Sequence, residues 1–262
     1  MTAHEGRTGA LDWSEVGGGP DRPLVMVHAL GVDREMWAQQ IPALSLTRRV
    51  VLFDLPGHGA SSAAPGPYTA EDLGLDVLDI ATAAGVGEFD VCGISLGGLI
   101  TLWLGVNAPE RARGLVVSNT AARVGTEAVW AERIEAVETG GMEAIEEIAV
   151  GRFFTPDLSS LQPEMVERVR RILLDTDPAG YAGCCAALRD ADLRGSIGAI
   201  RSPTLVIGGD RDIATPPENS VWIHEHVPGS RLRILEGAAH LSNLEQPEAW
   251  AEAVAGFLEY RA

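Results

Sequence analysis

A chain of 262 residues, 46% of them apolar, can bury one sizeable core with a smaller unit attached to it. Its formal net charge of −17 argues against nucleic acid or an anionic membrane as a partner, because both require clustered cations. All 20 cationic residues are arginine, which removes Schiff-base chemistry, a P-loop lysine and PLP attachment together.

After an N-terminal segment ending in the turn "VGGGPDRP", the short apolar run 24–28 predicts a buried strand. "RVVLFD" from Arg49 repeats that signature, as do "FDVCG" from Phe89, "GLVVSN" from Gly114, "TLVIGG" from Thr204 and "RLRILEG" from Arg231. Helical spacing fills the intervals 69–85, 95–109, 216–228 and 247–261. Strands that are nearly all apolar, alternating with helices, define an α/β class with a mostly parallel central sheet covered on both faces. From about Arg123 to Asp192 the rhythm breaks into helical patterns separated by Pro and Gly. The expected organisation is therefore a core of residues 1–122 and 193–262 with a helical lid, 123–192, inserted in it. Cys92, Cys184 and Cys185 offer no disulfide framework and no CxxC spacing, and "MTAHEGRTGALDW" lacks an apolar h-region, so a reducing, cytoplasmic location is expected.

"GISLG", residues 93–97, fits the G-x-S-x-G pattern of a nucleophile elbow. A chain with 30 glycines meets that pattern by chance often enough that placement has to decide. Here the pattern lies between a candidate strand and a candidate helix, the context the motif requires, which marks Ser95 as the candidate nucleophile. A serine hydroxyl needs a base oriented by a carboxylate, and in this sheet order both follow downstream. Asp212 in "GGDRDIATPP" is preferred to Asp210, which is expected to shape the turn, and His240 in "EGAAHLSNLEQP" is the histidine that closes a strand before the final helix. His58, in the Gly-rich turn "DLPGHGAS", is expected to be structural. His224 and His226 do not share a helix face, so no metal site is expected. The backbone N–H groups of Leu96 and of Leu30, in "VHALG", are the expected oxyanion donors.

The motifs "VMVHALG", "DLPGHGAS", "GISLGG" and "GAAHLSN" span nearly the whole chain, which resembles the α/β-hydrolase superfamily. "HALGVDREMW", "VGTEAVWAERI", "GYAGCCAALRDADLR" and "AAHLSNLEQP" resemble, more narrowly, the 3-oxoadipate enol-lactonases of the β-ketoadipate route. One departure is that Phe153 and Phe154 in "GRFFTP" stand where an aromatic pair containing tryptophan is expected. The resemblance implies lactone hydrolysis without a cofactor and a small anionic lactone as the substrate. On a chain at −17 such an anion needs local compensation, for which arginine is suited. Arg133, one helical turn from Trp130, is the first candidate and Arg34 the second, with Trp130 and Trp37 as candidate pocket walls. A general carboxylesterase, another lactonase or a cofactor-free haloperoxidase-like enzyme would use the same three residues. A butenolide-type ligand receptor on the same scaffold would bind without sustained turnover.

Overall fold

The computed structural model describes residues 4–64 and 66–259. Two strands precede the first expected one: β1 (His4–Thr8) and β2 (Leu11–Gly17) form an antiparallel hairpin. Then follow β3 (Asp21–Val27), a short α1 (Ile41–Leu44), β4 (Arg48–Phe53), α2 (Ala70–Ala83), β5 (Phe89–Ile94), α3 (Leu96–Asn107) and β6 (Ala112–Ser118). Five helices come next: α4 (Glu127–Gly140), α5 (Glu146–Phe153), α6 (Pro156–Leu161), α7 (Pro163–Asp175) and α8 (Pro178–Asp190). The chain closes with β7 (Thr204–Gly209), α9 (Pro217–His226), β8 (Arg231–Leu235), α10 (Ser242–Glu245) and α11 (Pro247–Glu259). Residues 260 and 261, included in the expected last helix, lie outside the described residues, as do residues 1–3 of the expected core.

The eight strands form one sheet in the order β1-β2-β4-β3-β5-β6-β7-β8. β2 runs antiparallel to β4, and every pairing from β4 to β8 is parallel. All six residues of β5 are buried, as a central parallel strand covered on both faces demands. The hairpin was not anticipated because its strands, at the margin of the sheet, carry charged residues among the apolar ones, with no continuous apolar run. α3 packs on β5 and β6, α9 on β7 and β8, and α11 on β8.

Local sequence sets the helix boundaries. Thr69 caps α2 by accepting from the Asp72 N–H at 3.1 Å while the Asp72 carboxylate accepts the Thr69 N–H at 2.8 Å. α7 and α8 are separated at Asp177-Pro178, where the Asp177 carboxylate takes the Ala179 N–H at 2.8 Å.

The helices between β6 and β7 are joined to the sheet at their root, where the Leu193 N–H donates to the Ala122 carbonyl at 2.8 Å. α8 lies directly on core loops because it is glycine-rich. A Cβ at Gly180 would stand 2.6 Å from the Gly57 Cα, and one at Gly183 would stand 2.5 Å from the Tyr68 ring. Among the described residues no helix is long and apolar enough to cross a membrane.

Candidate active site

β5 ends in a turn so tight that its glycines have no room for a side chain. A Cβ on Gly93 would lie 2.0 Å from the Gly97 carbonyl oxygen, and one on Gly97 would lie 2.1 Å from that of Val27. Ser95, between them, has φ 57° and ψ −115°, a conformation that costs a non-glycine residue about 1–3 kcal/mol. Its backbone is pinned on both sides, the N–H donating to Ser118 O at 3.0 Å and the carbonyl accepting from Thr120 Oγ1 at 2.7 Å. The Ser95 side chain caps no backbone N–H of α3. The strain therefore holds a hydroxyl at the N-terminus of a helix without using it structurally.

His240 and Asp212 meet from the loops after β8 and β7. His240 Nδ1 lies 2.9 Å from Asp212 Oδ2, and both residues are buried. The other Asp212 oxygen accepts the N–H groups of Ala214 and Thr215, each at 2.9 Å, and Oδ2 also accepts Thr215 Oγ1 at 2.7 Å and Asn119 Nδ2 at 3.0 Å. Burial pushes the Asp212 pKa up, but the His240 charge and these donors outweigh it and hold the carboxyl at about 2. A fixed carboxylate on Nδ1 places the imidazole proton there and leaves Nε2 as its basic nitrogen. Asp210 has a different task, accepting the Gly237 N–H at 2.7 Å to close the turn after β8.

Asn119, which the sequence reading did not single out, connects these parts. It follows Ser118, the partner of the Ser95 N–H, and its Nδ2 donates both to Asp212 and to the Ala239 carbonyl, at 3.0 Å each. Its Oδ1 accepts Ser242 Oγ at 2.6 Å. Asn119 has φ 45°, a conformation asparagine tolerates better than most residues, so an Asn at the end of a β-branched run was the available signal. Asn119 in this way ties Asp212 to the His240 loop, while its neighbours Ser118 and Thr120 hold the Ser95 backbone.

The loop after β3 abuts the elbow, since the space beside Gly97 is filled by the Val27 and His28 carbonyls. Two buried histidines brace that loop. His28 Nε2 accepts the Leu55 N–H at 2.8 Å with Nδ1 on Ala29 O, and His58 Nε2 accepts the Gly31 N–H at 3.1 Å with Nδ1 on Pro56 O. Both rings are thus neutral Nδ1–H tautomers, and burial lowers His28 to about 4 and His58 to about 3. Leu30 precedes the braced Gly31 N–H, and Leu96 opens α3, where the first N–H groups have no intrahelical partner.

These histidines make stability pH-dependent. Below pH 6.5 the unfolded imidazoles take up protons that the folded protein refuses until about 4 and 3, so the contribution is complete above 6.5 and is lost as pH falls. Urea unfolding at pH 6.5, 5.5 and 4.5 should show proton uptake on unfolding, and His58→Gln should reduce it by about one proton. An unchanged pH slope in that variant would disprove the neutral, buried His58.

The expected binding residues separate into two groups. Arg133 is half-buried on α4, donates from Nη1 to the Tyr181 hydroxyl at 3.2 Å, and sets its guanidinium carbon 5.8 Å from the centre of the Trp130 ring. Among the described residues no carboxylate lies within ion-pair distance of it. Trp130 Nε1 is bonded to Val124 O at 2.6 Å, which fixes that indole. The expectation for Arg34 is corrected, because its Nη1 is 2.6 Å from Asp12 and its Nε 3.7 Å from Asp54, so its charge is already matched. Trp37 is corrected as well: it is fully buried, 5.5 Å from Trp250 between ring centres, and belongs to the core. Phe153 lies parallel to the His240 ring, 6.4 Å away, with Phe154 edge-on behind it. Among the described residues no group of three or more His, Cys, Asp or Glu side chains is placed to hold a metal.

The sheet order, the strained elbow and the acid–histidine pair define a hydrolase of the α/β type. The family model for the alpha/beta hydrolase fold matches residues 22–247, and the chain belongs to that family. It is 40% identical to 3-oxoadipate enol-lactonase 2 of Acinetobacter baylyi, over 90% of this chain and 89% of that protein. With 3-oxoadipate enol-lactonase 1 of the same organism it shares 35% over 99% and 96%. The crystal structure of the enol-lactonase from Burkholderia xenovorans LB400 superposes with a TM-score of 0.93 at 34% identity, covering 98% of this chain and all of that one. Family and relatives together make this chain an ester-hydrolysing enzyme.

Proposed function

We propose that the protein opens 3-oxoadipate enol-lactone to 3-oxoadipate through an acyl-enzyme, in the cytoplasm, without a cofactor. Ser95 Oγ attacks the ring carbonyl as His240 Nε2 takes its proton, with Asp212 holding Nδ1–H and the Leu96 and Leu30 N–H groups receiving the oxyanion. The ring C–O bond breaks as His240 gives its proton to the departing enolate oxygen, which leaves an enol that becomes the ketone and returns the imidazole to its neutral form. The same imidazole then activates water to cleave the acyl-serine ester. The helices of 123–192 act as the lid over this centre, Arg133 receives the substrate carboxylate, and the fixed Trp130 ring walls the subsite.

The observation that carries this reading is Arg133, a half-buried cation without a carboxylate partner among the described residues, on a chain of charge −17. The names of the 35–40% identical relatives support the same substrate. Free thiols at Cys92, Cys184 and Cys185 fit a reducing compartment.

The test is turnover of the enol-lactone, generated in situ, against its spontaneous hydrolysis, beside a panel of neutral esters. Arg133→Ala should raise KM for the lactone roughly 10- to 100-fold, as loss of a charge-assisted contact does, while KM for neutral esters stays within about twofold. Equal effects on both substrate types would remove the carboxylate role. A wild-type rate no faster than background would redirect the search to other esters.

A further inference from the structure

Glu245 is among the buried ionisable side chains that the mechanism leaves unused. Glu245, at the end of α10, is 9% exposed and has no cation within ion-pair distance among the described residues. Its carboxylate is instead satisfied by protein donors from two separate parts of the fold. One oxygen accepts both the N–H and the hydroxyl of Thr155, at 2.8 and 2.7 Å, and the other accepts the N–H of Ala239. Thr155 is the N-cap of α6, at the junction with α5, and Ala239 immediately precedes His240. A second bond crosses the same seam on the far side of the histidine, from the Leu241 N–H to Phe153 O at 3.0 Å. Between them the Phe153 ring lies against His240, tilted by only 8°. Residues 239–241 are therefore held from the helical insertion directly at the Leu241 peptide and the His240 ring face, and through Glu245 at the Ala239 peptide.

We propose that Glu245 is a positioning residue that clamps the His240 loop to the Phe153–Thr155 joint of the helical insertion, so that the insertion sets the placement of the base. The clamp needs a carboxylate. Three donors converge on it, and a glutamine would turn an amide N–H₂ toward at least one of them, while an aspartate is one methylene too short to span both. Two backbone N–H groups and a hydroxyl satisfy the two oxygens of the Glu245 carboxylate. The joint between insertion and sheet is consequently fixed at this seam, and any opening of the lid has to occur away from it. A displacement of the imidazole of about 1 Å costs roughly 10²-fold in rate, so the effect belongs in kcat.

The inference rests on His240 as the base, and the experiment separates the two. Glu245→Gln and Thr155→Val are made singly and together in the full chain, and each is measured for labelling of Ser95 by a fluorophosphonate, for ester kcat and KM, and for Tm. Expected are a fall of about 10- to 100-fold in labelling rate and kcat for Glu245→Gln, with KM within about twofold, and a smaller fall for Thr155→Val. The double variant should be no slower than Glu245→Gln, because both changes break one contact. A folded Glu245→Gln with wild-type labelling and kcat, whatever its Tm, overturns the clamp. Should that variant fail to fold, Thr155→Val decides alone, and wild-type rates there overturn it. Wild-type protein that does not label at Ser95 removes the triad reading and the clamp with it. Labelling without lactone turnover removes only the proposed substrate.

Discussion

Replacing Ser95 with alanine should lower kcat for ester or lactone hydrolysis by about 10⁴- to 10⁶-fold, the scale on which removal of an activated nucleophile acts. The fold should be unaffected, because the side chain caps nothing in α3 and the Ser95 backbone is held by the Ser118 carbonyl and the Thr120 hydroxyl. Ser95→Gly makes a useful companion. Glycine relieves the φ 57° backbone, so this variant should be inactive and yet at least as stable as the wild type. Burst kinetics with a chromogenic ester, alongside thermal denaturation, reads both. Activity within tenfold of wild type in either variant would mean that the strain at the elbow serves something other than nucleophilic attack.

Asp212→Asn should cost about 10⁴ in kcat with the fold intact, for a reason of tautomers rather than of charge alone. Asn119 and Thr215 already direct donors at the Oδ2 of Asp212 that meets His240. An asparagine there presents its amide N–H₂ either to the Ala214 and Thr215 N–H groups that Oδ1 now accepts or, in place of Oδ2, to the imidazole together with those donors, and in the second orientation it moves the ring proton to Nε2, where it blocks acceptance from serine. The control is Asp210→Asn, two residues away, where the carboxylate closes a turn with Gly237. That variant should keep kcat within a few-fold. Comparable losses in the two variants would defeat the assignment of Asp212.

The parallel strands and the helices around them could be read from the sequence because each is decided locally. A strand covered on both faces must be continuously apolar, and a helix announces itself by spacing and by caps such as Thr69 and Asp72. The β1–β2 hairpin escaped because strands at the margin of the sheet are only partly buried, so charged residues interrupt their apolar ones. Arg34 and Trp37 were misplaced for a related reason. A sequence shows that a cation or an indole is present, but not that Asp12 and Asp54 already neutralise the one or that Trp250 buries the other.

The sequence by itself determined the class of fold, the elbow at Ser95 and the order in which a carboxylate and a histidine follow it, because each is written in residues adjacent along the chain. Only the tertiary structure decided which neighbours those residues keep: Asn119 between Asp212 and Ala239, the neutral His28 and His58 under the loop that carries Leu30, Arg133 on Tyr181 and Trp130, and Glu245 between Thr155 and the His240 loop. Such contacts join positions as far as 120 residues apart, at Asn119 and Ala239. Hydrogen bonding and burial select them through distances that exist only once the sheet has brought its loops together.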